Sequence, residues 1–191
     1  RAPRAGSRAA TAGRHLSGHA PQPESKMTGR ILLCADDYAM TEGVSRGIEE
    51  LVDAGCLSAT SAMTGMRHWP ARAARIRELS GNVAVGLHFN LTLGEPLGSM
   101  PRLAPSGRLP LVGELVTRAV KGDIDTAEIE AETLRQLDAF ETAFGGPPDF
   151  LDGHQHVHAL PRVRTAVLAA LRHRYAGRQL LVRDPSTGVA A

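Results

Sequence analysis

Residues 31–63 read ILLCADDYAMTEGVSRGIEELVDAGCLSATSAM, and this stretch carries the pattern of a strand, a helix and a second strand. Residues 31–35 form a short continuous apolar run, as expected of a parallel strand that is covered on both faces. Thr41 is the predicted N-cap of a helix that has apolar residues on one face and ends at Gly55. Residues 57–63 predict the next strand. Two strands joined by a helix are typical of a parallel sheet.

The same alternation continues along the rest of the chain. Further strands are predicted at 83–88, 149–153 and 179–183, and further helices at 69–79, 112–120, 124–144 and 161–175. The segment 93–113 is rich in Gly and Pro and interrupts this order, and its length indicates a lid or binding loop rather than a simple connection. We therefore predict an α/β fold, a parallel (β/α) barrel-like architecture that is incomplete, with about five β/α units.

The first 26 residues differ in composition from the rest of the chain. They hold five basic residues and one acidic residue, whereas residues 27–191 hold 17 basic and 19 acidic residues. We predict a disordered leader at 1–26, with a transit peptide or a true start at Met27 as alternatives. Residues 27–191 are then predicted to form one partial (β/α)-barrel domain.

Charge, hydropathy and cysteine usage narrow the classes of partner and compartment. Residues 27–191 carry a net charge of −2, so we predict no nucleic-acid partner; binding through the leader is disfavoured because it lacks aromatic residues that stack on bases. No apolar run reaches the ~20 residues of a membrane span, so we predict no membrane partner. Cys34 and Cys56 lack CxxC spacing, and we interpret them as buried free thiols, which favours the cytoplasm. The oligomeric state stays open, with a homo-oligomer as one option.

Polar residues follow three of the predicted strands. The three clusters begin at Asp36, His88 and Asp152. In parallel β/α folds the carboxyl ends of the strands line the functional site, so these clusters are predicted to meet at one rim. Taken alone, Asp36 and Asp37 are typical of a solvated residue followed by a helix cap, and His88 alone is typical of a hydrogen-bonded histidine.

The run DGHQHVH at residues 152–158 is the most specific of these clusters. In an extended conformation it would point His154, His156 and His158 to the same face. This density of imidazoles favours metal binding, with a pH-sensitive or merely polar loop as the alternative. Two aspartates and two or more histidines around an open coordination position are typical of a hydrolytic metal site, although spacing alone does not choose the substrate.

Four motifs, in this order, resemble those of a known family, the YdjC-like carbohydrate deacetylases. They are ILLCADDYAMTEGVSRGI, LSATSAM, VGLHFNLTLGEPL and FLDGHQHVHALP, and the resemblance covers roughly residues 30–183. It implies a (β/α) barrel and the removal of N-acetyl groups from acetylated sugars such as chitooligosaccharides. It also implies Asp37, His88 and His154 as metal ligands and Asp36 as the general base. Three residues in the same motifs are predicted substrate contacts, namely Tyr38, Asn90 and His158.

The resemblance implies magnesium as the metal, whereas two imidazoles and one carboxylate suit zinc or another transition metal better. The implied partner is an acetylated oligosaccharide or amino sugar. Family members usually continue beyond this length through further β/α units that carry a histidine acting as general acid. We therefore expect a truncated chain, and the alternative function is a non-catalytic remnant that binds metal or sugar. Arg183 follows the fifth predicted strand and faces the same rim without an assigned role.

Overall fold

The computed structural model describes residues 31–186, in which five strands alternate with helices. The strands are β1 (Cys34–Tyr38), β2 (Ala59–Ala62), β3 (Ala84–Phe89), β4 (Phe150–Gly153) and β5 (Leu181–Val182). The helices are α1 (Glu42–Asp53), α2 (Trp69–Leu79), α3 (Val112–Lys121), α4 (Thr126–Phe144) and α5 (Val163–Arg174), with a short 3₁₀ helix at His154–Ala159. The strands form one parallel sheet in chain order, β1-β2-β3-β4-β5. This confirms the predicted parallel α/β, barrel-like construction, and among the described residues the sheet does not close.

The first strand lies further along the chain than predicted. The apolar run at 31–35 was expected to form it, but pairing with β2 begins at Cys34, opposite Ala59, and Leu32 and Leu33 are exposed. Both aspartates therefore lie inside the strand instead of after it. The pairing register with β2 shifts between Ala35 and Tyr38, which marks an irregularity of β1 at the two aspartates.

The helix signals in the sequence correspond to real caps and core contacts. Thr41 Oγ1 accepts a hydrogen bond from the Val44 backbone N–H at 3.2 Å, as predicted for the N-cap of α1. Trp69 begins α2, is buried, and stacks on Phe140 of α4 with ring centroids 5.2 Å apart. Its indole N–H donates to the Ala139 carbonyl at 2.9 Å, so this tryptophan packs α2 against α4.

The segment after β4 does not have the extended conformation in which its three histidines would share one face. Residues His154–Ala159 form a 3₁₀ helix, and Gln155 and His156 have positive φ angles of 52° and 59°. His156 is exposed, while His158 is buried. The three histidines therefore do not share one face, because the chain turns after His154 and the two-residue period of a strand is lost.

The sequence also predicted two buried thiols, no membrane-spanning segment and a disordered leader. Cys34 and Cys56 are free thiols, but Cys34 is only half-buried and Cys56 is exposed, so the expectation of two buried thiols is wrong. Among residues 31–186, no helix has the length and apolar character needed to cross a membrane. The predicted leader at 1–26 lies outside the described residues.

The long connection between β3 and α3 is held against helix α4. The Gln136 side chain accepts from the Asn90 backbone N–H at 3.0 Å and donates to the Asn90 carbonyl at 2.8 Å. Further along, the Leu97 N–H donates to Glu132, and the Leu103 N–H donates to Glu128. Carboxylates and an amide on one face of α4 thus satisfy backbone donors of the connection and fix its path beside the sheet.

Candidate active site

Three of the predicted site residues meet at the carboxyl end of the sheet. Asp37 comes from β1, His88 from β3, and His154 follows β4. Asp37 Oδ1 lies 3.1 Å from His88 Nε2 and 2.8 Å from His154 Nδ1. One ligand atom from each of the three residues lies within 4.8 Å of the others, which is close enough for all three to hold one metal ion. Residues separated by more than 100 positions are brought together because parallel strands end at the same edge.

The backbone of β1 directs the two aspartates to different partners. Asp37 has a φ angle of 67°, a left-handed conformation that is uncommon for a residue with a side chain, although aspartate adopts it more readily than most. A conformation of this kind costs about 1–3 kcal/mol and is typical of functional sites. Asp37 faces His88 and His154, whereas Asp36 faces Arg183.

His88 is oriented by a buried carboxylate that the sequence did not assign. Its Nδ1 lies 2.7 Å from Asp152 Oδ1, and Asp152 Oδ2 accepts a hydrogen bond from the Ser61 hydroxyl at 3.0 Å. Asp152 is only 1% exposed. With the proton on Nδ1 donated to Asp152, a neutral His88 ring would have the lone pair of Nε2 free for an ion bound beside Asp37. Two features of the sequence could have indicated this support for His88: Asp152 begins the run DGHQHVH, and Ser61 lies in LSATSAM.

His88 and its two neighbouring carboxylates, Asp37 and Asp152, shift one another's pKa values. Burial lowers the pKa of His88, but hydrogen bonds to Asp152 and Asp37 outweigh it and raise the pKa to about 9. The hydrogen bonds from His154 and His88 hold the pKa of Asp37 well below its usual value. Burial acts to raise the pKa of Asp152, yet its contacts with His88 leave that pKa lowered. Without a metal ion, His88 is therefore an imidazolium between two carboxylates.

Asp36, the predicted general base, is paired with Arg183. Arg183 Nη1 lies 2.8 Å and 3.0 Å from the two carboxylate oxygens of Asp36 and 3.1 Å from Asp152 Oδ2. The Asp36 side chain remains 31% exposed, so it is open to a water molecule or a substrate. The sequence placed Arg183 at the rim but showed no partner for it, since 147 residues separate it from Asp36.

Tyr38 and Asn90, two predicted substrate contacts, are buried in structural positions. The Tyr38 side chain is fully buried, and its hydroxyl donates to Glu49 Oε1 at 2.7 Å. Asn90 Oδ1 accepts from the backbone N–H groups of Thr92 and Leu93, which shapes the turn after β3. The polar groups of both side chains are thus used inside the protein, and their role as substrate contacts stays a prediction.

His158, the third predicted substrate contact, is also buried. Its Nε2 lies 2.8 Å from the Arg183 carbonyl oxygen, to which the ring N–H donates. Burial lowers the pKa of His158, so the ring is neutral at pH 7. His158 thus anchors the end of β5, from which the Arg183 side chain extends toward Asp36, and its role as a substrate contact stays a prediction.

A groove opens beside His154. It has a volume of about 550 Å³ and is lined by Thr92, Leu93, Leu111, Val112, Gly113, Glu114, His154 and Gln155. The Thr92 hydroxyl donates to Gln155 Oε1 at 2.8 Å and joins the wall formed by the long connection to the 3₁₀ helix. Its volume lies within the ~300–1,000 Å³ typical of small-molecule sites. The segment predicted as a lid or binding loop thus contributes a wall next to the His154 ring.

Comparison with known proteins finds one family model and a set of similar curated relatives. Residues 30–190 match the family model described as YdjC-like protein. A chitooligosaccharide deacetylase of Serratia marcescens is 37% identical over 139 residues, which are 73% of this chain and 54% of the relative. Chitooligosaccharide deacetylases of Enterobacter sp. (strain 638) and Yersinia pestis (strain Pestoides F) are 37% and 35% identical and cover 70% and 75% of this chain. The chain spans about half the length of these curated relatives.

A solved structure supports the same fold. It is a protein from Enterococcus faecalis V583 provisionally described as a cellobiose-phosphate cleavage protein, and it superposes with a TM-score of 0.69 at 24% identity. The match covers 83% of this chain and 59% of that protein. The chain belongs to the YdjC-like protein family.

Proposed function

We propose that this protein is a metal-dependent hydrolase that removes N-acetyl groups from acetylated carbohydrates such as chitooligosaccharides. The observation that carries the proposal is the meeting of Asp37, His88 and His154 at one rim of the sheet, with Asp36 beside them. The names of the relatives, which are 35–37% identical, support the same reaction.

The donor set fits a divalent metal ion. Asp37 offers a carboxylate oxygen, and His88 and His154 each offer an imidazole nitrogen, within 4.8 Å of one another. With Nδ1 of His88 hydrogen-bonded to Asp152 at 2.7 Å, Nε2 of the neutral ring would be the atom that binds the ion. Two nitrogens and one oxygen suit zinc or another transition metal, while the family resemblance favours magnesium. A bound ion would supply polarisation of the acetyl carbonyl and a lowered pKa for a nearby water molecule.

The transfer of the proton from the attacking water is assigned to Asp36, with Arg183 as its neighbour. Asp36 is next to Asp37 and partly exposed, so its carboxylate is available to accept the proton of the attacking water. Arg183 keeps that carboxylate in a fixed orientation through contacts with both of its oxygens. Fixed geometry matters because a base must reach its proton at hydrogen-bond distance.

The groove beside His154 is the proposed substrate site. Its walls carry both polar and apolar groups, including Thr92, Glu114 and Leu111. An amino sugar presents hydroxyl groups and apolar ring faces, and both kinds of surface find counterparts in such a groove. An acetyl group entering from this groove would approach the rim on the side of His154.

The test is acetate release from N-acetylated chitooligosaccharides. Protein stripped of metal with a chelator and then reloaded separately with Mg²⁺ and Zn²⁺ should regain activity with one of these ions. Release that is undiminished by chelation contradicts the proposal. Protein that binds the ion and the oligosaccharide but releases no acetate with any metal supports the alternative of a non-catalytic binding protein.

A further inference from the structure

A second group of potential ligands lies beside the proposed metal site. Cys34, Asp36 and Asp152 each bring one ligand atom to within 4.8 Å of the other two. The Cys34 thiol lies 3.5 Å from Asp36 Oδ1. A thiolate and two carboxylates are a ligand set that can bind a transition-metal ion.

The space between the two carboxylates holds the guanidinium of Arg183. One nitrogen, Nη1, makes contacts of 2.8 Å and 3.0 Å with Asp36 and of 3.1 Å with Asp152. A guanidinium is charged at every accessible pH, so the positive charge is permanent. Asp152 is 1% exposed, so the guanidinium compensates part of the charge of a carboxylate that solvent does not reach.

Arg183 is held from its backbone as well as from its side chain. The His158 ring donates from Nε2 to the Arg183 carbonyl at 2.8 Å. The Arg183 N–H donates to the Leu151 carbonyl at 2.9 Å. With both backbone groups bonded, the side chain begins from a defined position at the end of β5 and its charged end reaches the same two carboxylates.

We propose that Arg183 is the fixed second cation of this site: its Nη1 takes the position that a second metal ion would occupy among Cys34, Asp36 and Asp152. The consequence is a site for one metal ion in which Asp36 stays unligated. This deepens the proposed function, since an Asp36 bound to a metal could not serve as the base. The number of bound ions, however, is measurable without any substrate.

The experiment is a cobalt titration of metal-stripped protein. Co²⁺ bound by Asp37, His88 and His154 has no sulfur ligand, whereas Co²⁺ bound by Cys34 produces a near-ultraviolet thiolate-to-cobalt charge-transfer band. Wild-type protein should bind one ion without this band. Arg183→Met should bind two ions and acquire the band, and adding Cys34→Ser to it should remove the band.

Matched variants separate the charge from the shape of the side chain. Arg183→Lys retains a cation and should stay at one ion, and Arg46→Met, an exposed arginine on α1, should behave as wild type. Arg183→Gln provides a second neutral variant should Arg183→Met unfold. Wild-type protein that binds two ions with the thiolate band overturns the inference, and so do neutral variants that fold and bind one ion without it. Wild-type protein that binds one ion but releases no acetate contradicts the proposed reaction alone.

Discussion

At the scale of single residues, Asp36 and Asp37 are neighbours in sequence that face different partners. Asp37 contacts His88 and His154, and Asp36 contacts Arg183. The positive φ angle of Asp37 separates their directions within one strand. A metal ligand and a base can therefore stand side by side, because neither carboxylate has to serve both purposes.

Asp36→Asn tests the base. An amide cannot accept a proton from water at neutral pH, so we expect kcat to fall by about 10²–10⁴-fold. Metal affinity should stay near the wild-type value, since Asp36 is not among the proposed ligands. The measurement is acetate release together with calorimetric titration of the metal, with Glu50→Gln, an exposed position on α1, as control. An active Asp36→Asn enzyme would assign the base elsewhere.

Asp152→Asn tests the orientation of His88. The substitution removes the negative charge that holds the Nδ1 proton of His88, which lies 2.7 Å away. Loss of a carboxylate behind a metal-binding histidine weakens metal affinity by about 10–100-fold. Ser61→Ala, which removes one hydrogen bond to the same carboxylate, should have a smaller effect of the same sign. Unchanged affinity in Asp152→Asn contradicts this role.

Metal binding should release a proton. In the metal-free protein the pKa of His88 is raised to about 9, so the ring is protonated at pH 7, and an ion bound at Nε2 requires the neutral ring. Between pH 7 and about 9 the metal affinity should therefore rise with pH, and it should level off above the His88 pKa. Calorimetry at pH 7 in two buffers of different ionisation enthalpy should report release of about one proton. No buffer dependence would exclude this coupling.

At the scale of elements, helix α4 controls the long connection that forms one wall of the groove. Gln136, buried on α4, bonds both the N–H and the carbonyl of Asn90 at the end of β3. Glu132 and Glu128 bond backbone groups further along the same connection. The connection is therefore positioned by hydrogen bonds to a rigid helix, and its part in the groove does not depend on its own internal structure.

Gln136→Leu tests this arrangement. Leucine keeps the volume but leaves the Asn90 N–H and carbonyl without partners, at about 1–3 kcal/mol for each buried group. We expect a lower free energy of unfolding in urea and a higher KM, because the groove wall loses its anchor. Asp138→Asn, exposed on the same helix, is the control and should change little. A stability and a KM equal to those of wild type would contradict this role of Gln136.

At the scale of the whole molecule, the proposed metal ion joins three strands of the sheet. Its ligands come from β1, from β3 and from the residue after β4, and β2 lies between the first two. An ion that binds only the folded chain stabilises it by mass action, by about 2.7 kcal/mol at a concentration 100 times Kd. Thermal unfolding should shift upward with metal concentration. In His154→Ala, which lacks one ligand, the shift should be smaller at every concentration.

The sequence by itself determined the order of strands and helices and the strands that carry the site. The order of elements is a local property, because apolar periodicity identifies each strand and helix. The strands that carry the site follow from a general rule, because parallel strands end at the same edge of the sheet. The family resemblance of the sequence motifs also implied Asp37, His88 and His154 as one group at that rim. The boundaries of β1 and the turn after His154 were missed, since the positive φ angles of Asp37, Gln155 and His156 leave no signal in the hydrophobic pattern.

Only the tertiary structure decided which side chains surround that group. The Arg183 guanidinium reaches Asp36 across 147 residues, and Asp152 supports His88 across 64. The Tyr38 side chain is buried and bonded to Glu49, 11 positions away on α1. Such partners depend on strand register and on the direction of each side chain, which the packing of distant segments sets and local sequence does not record.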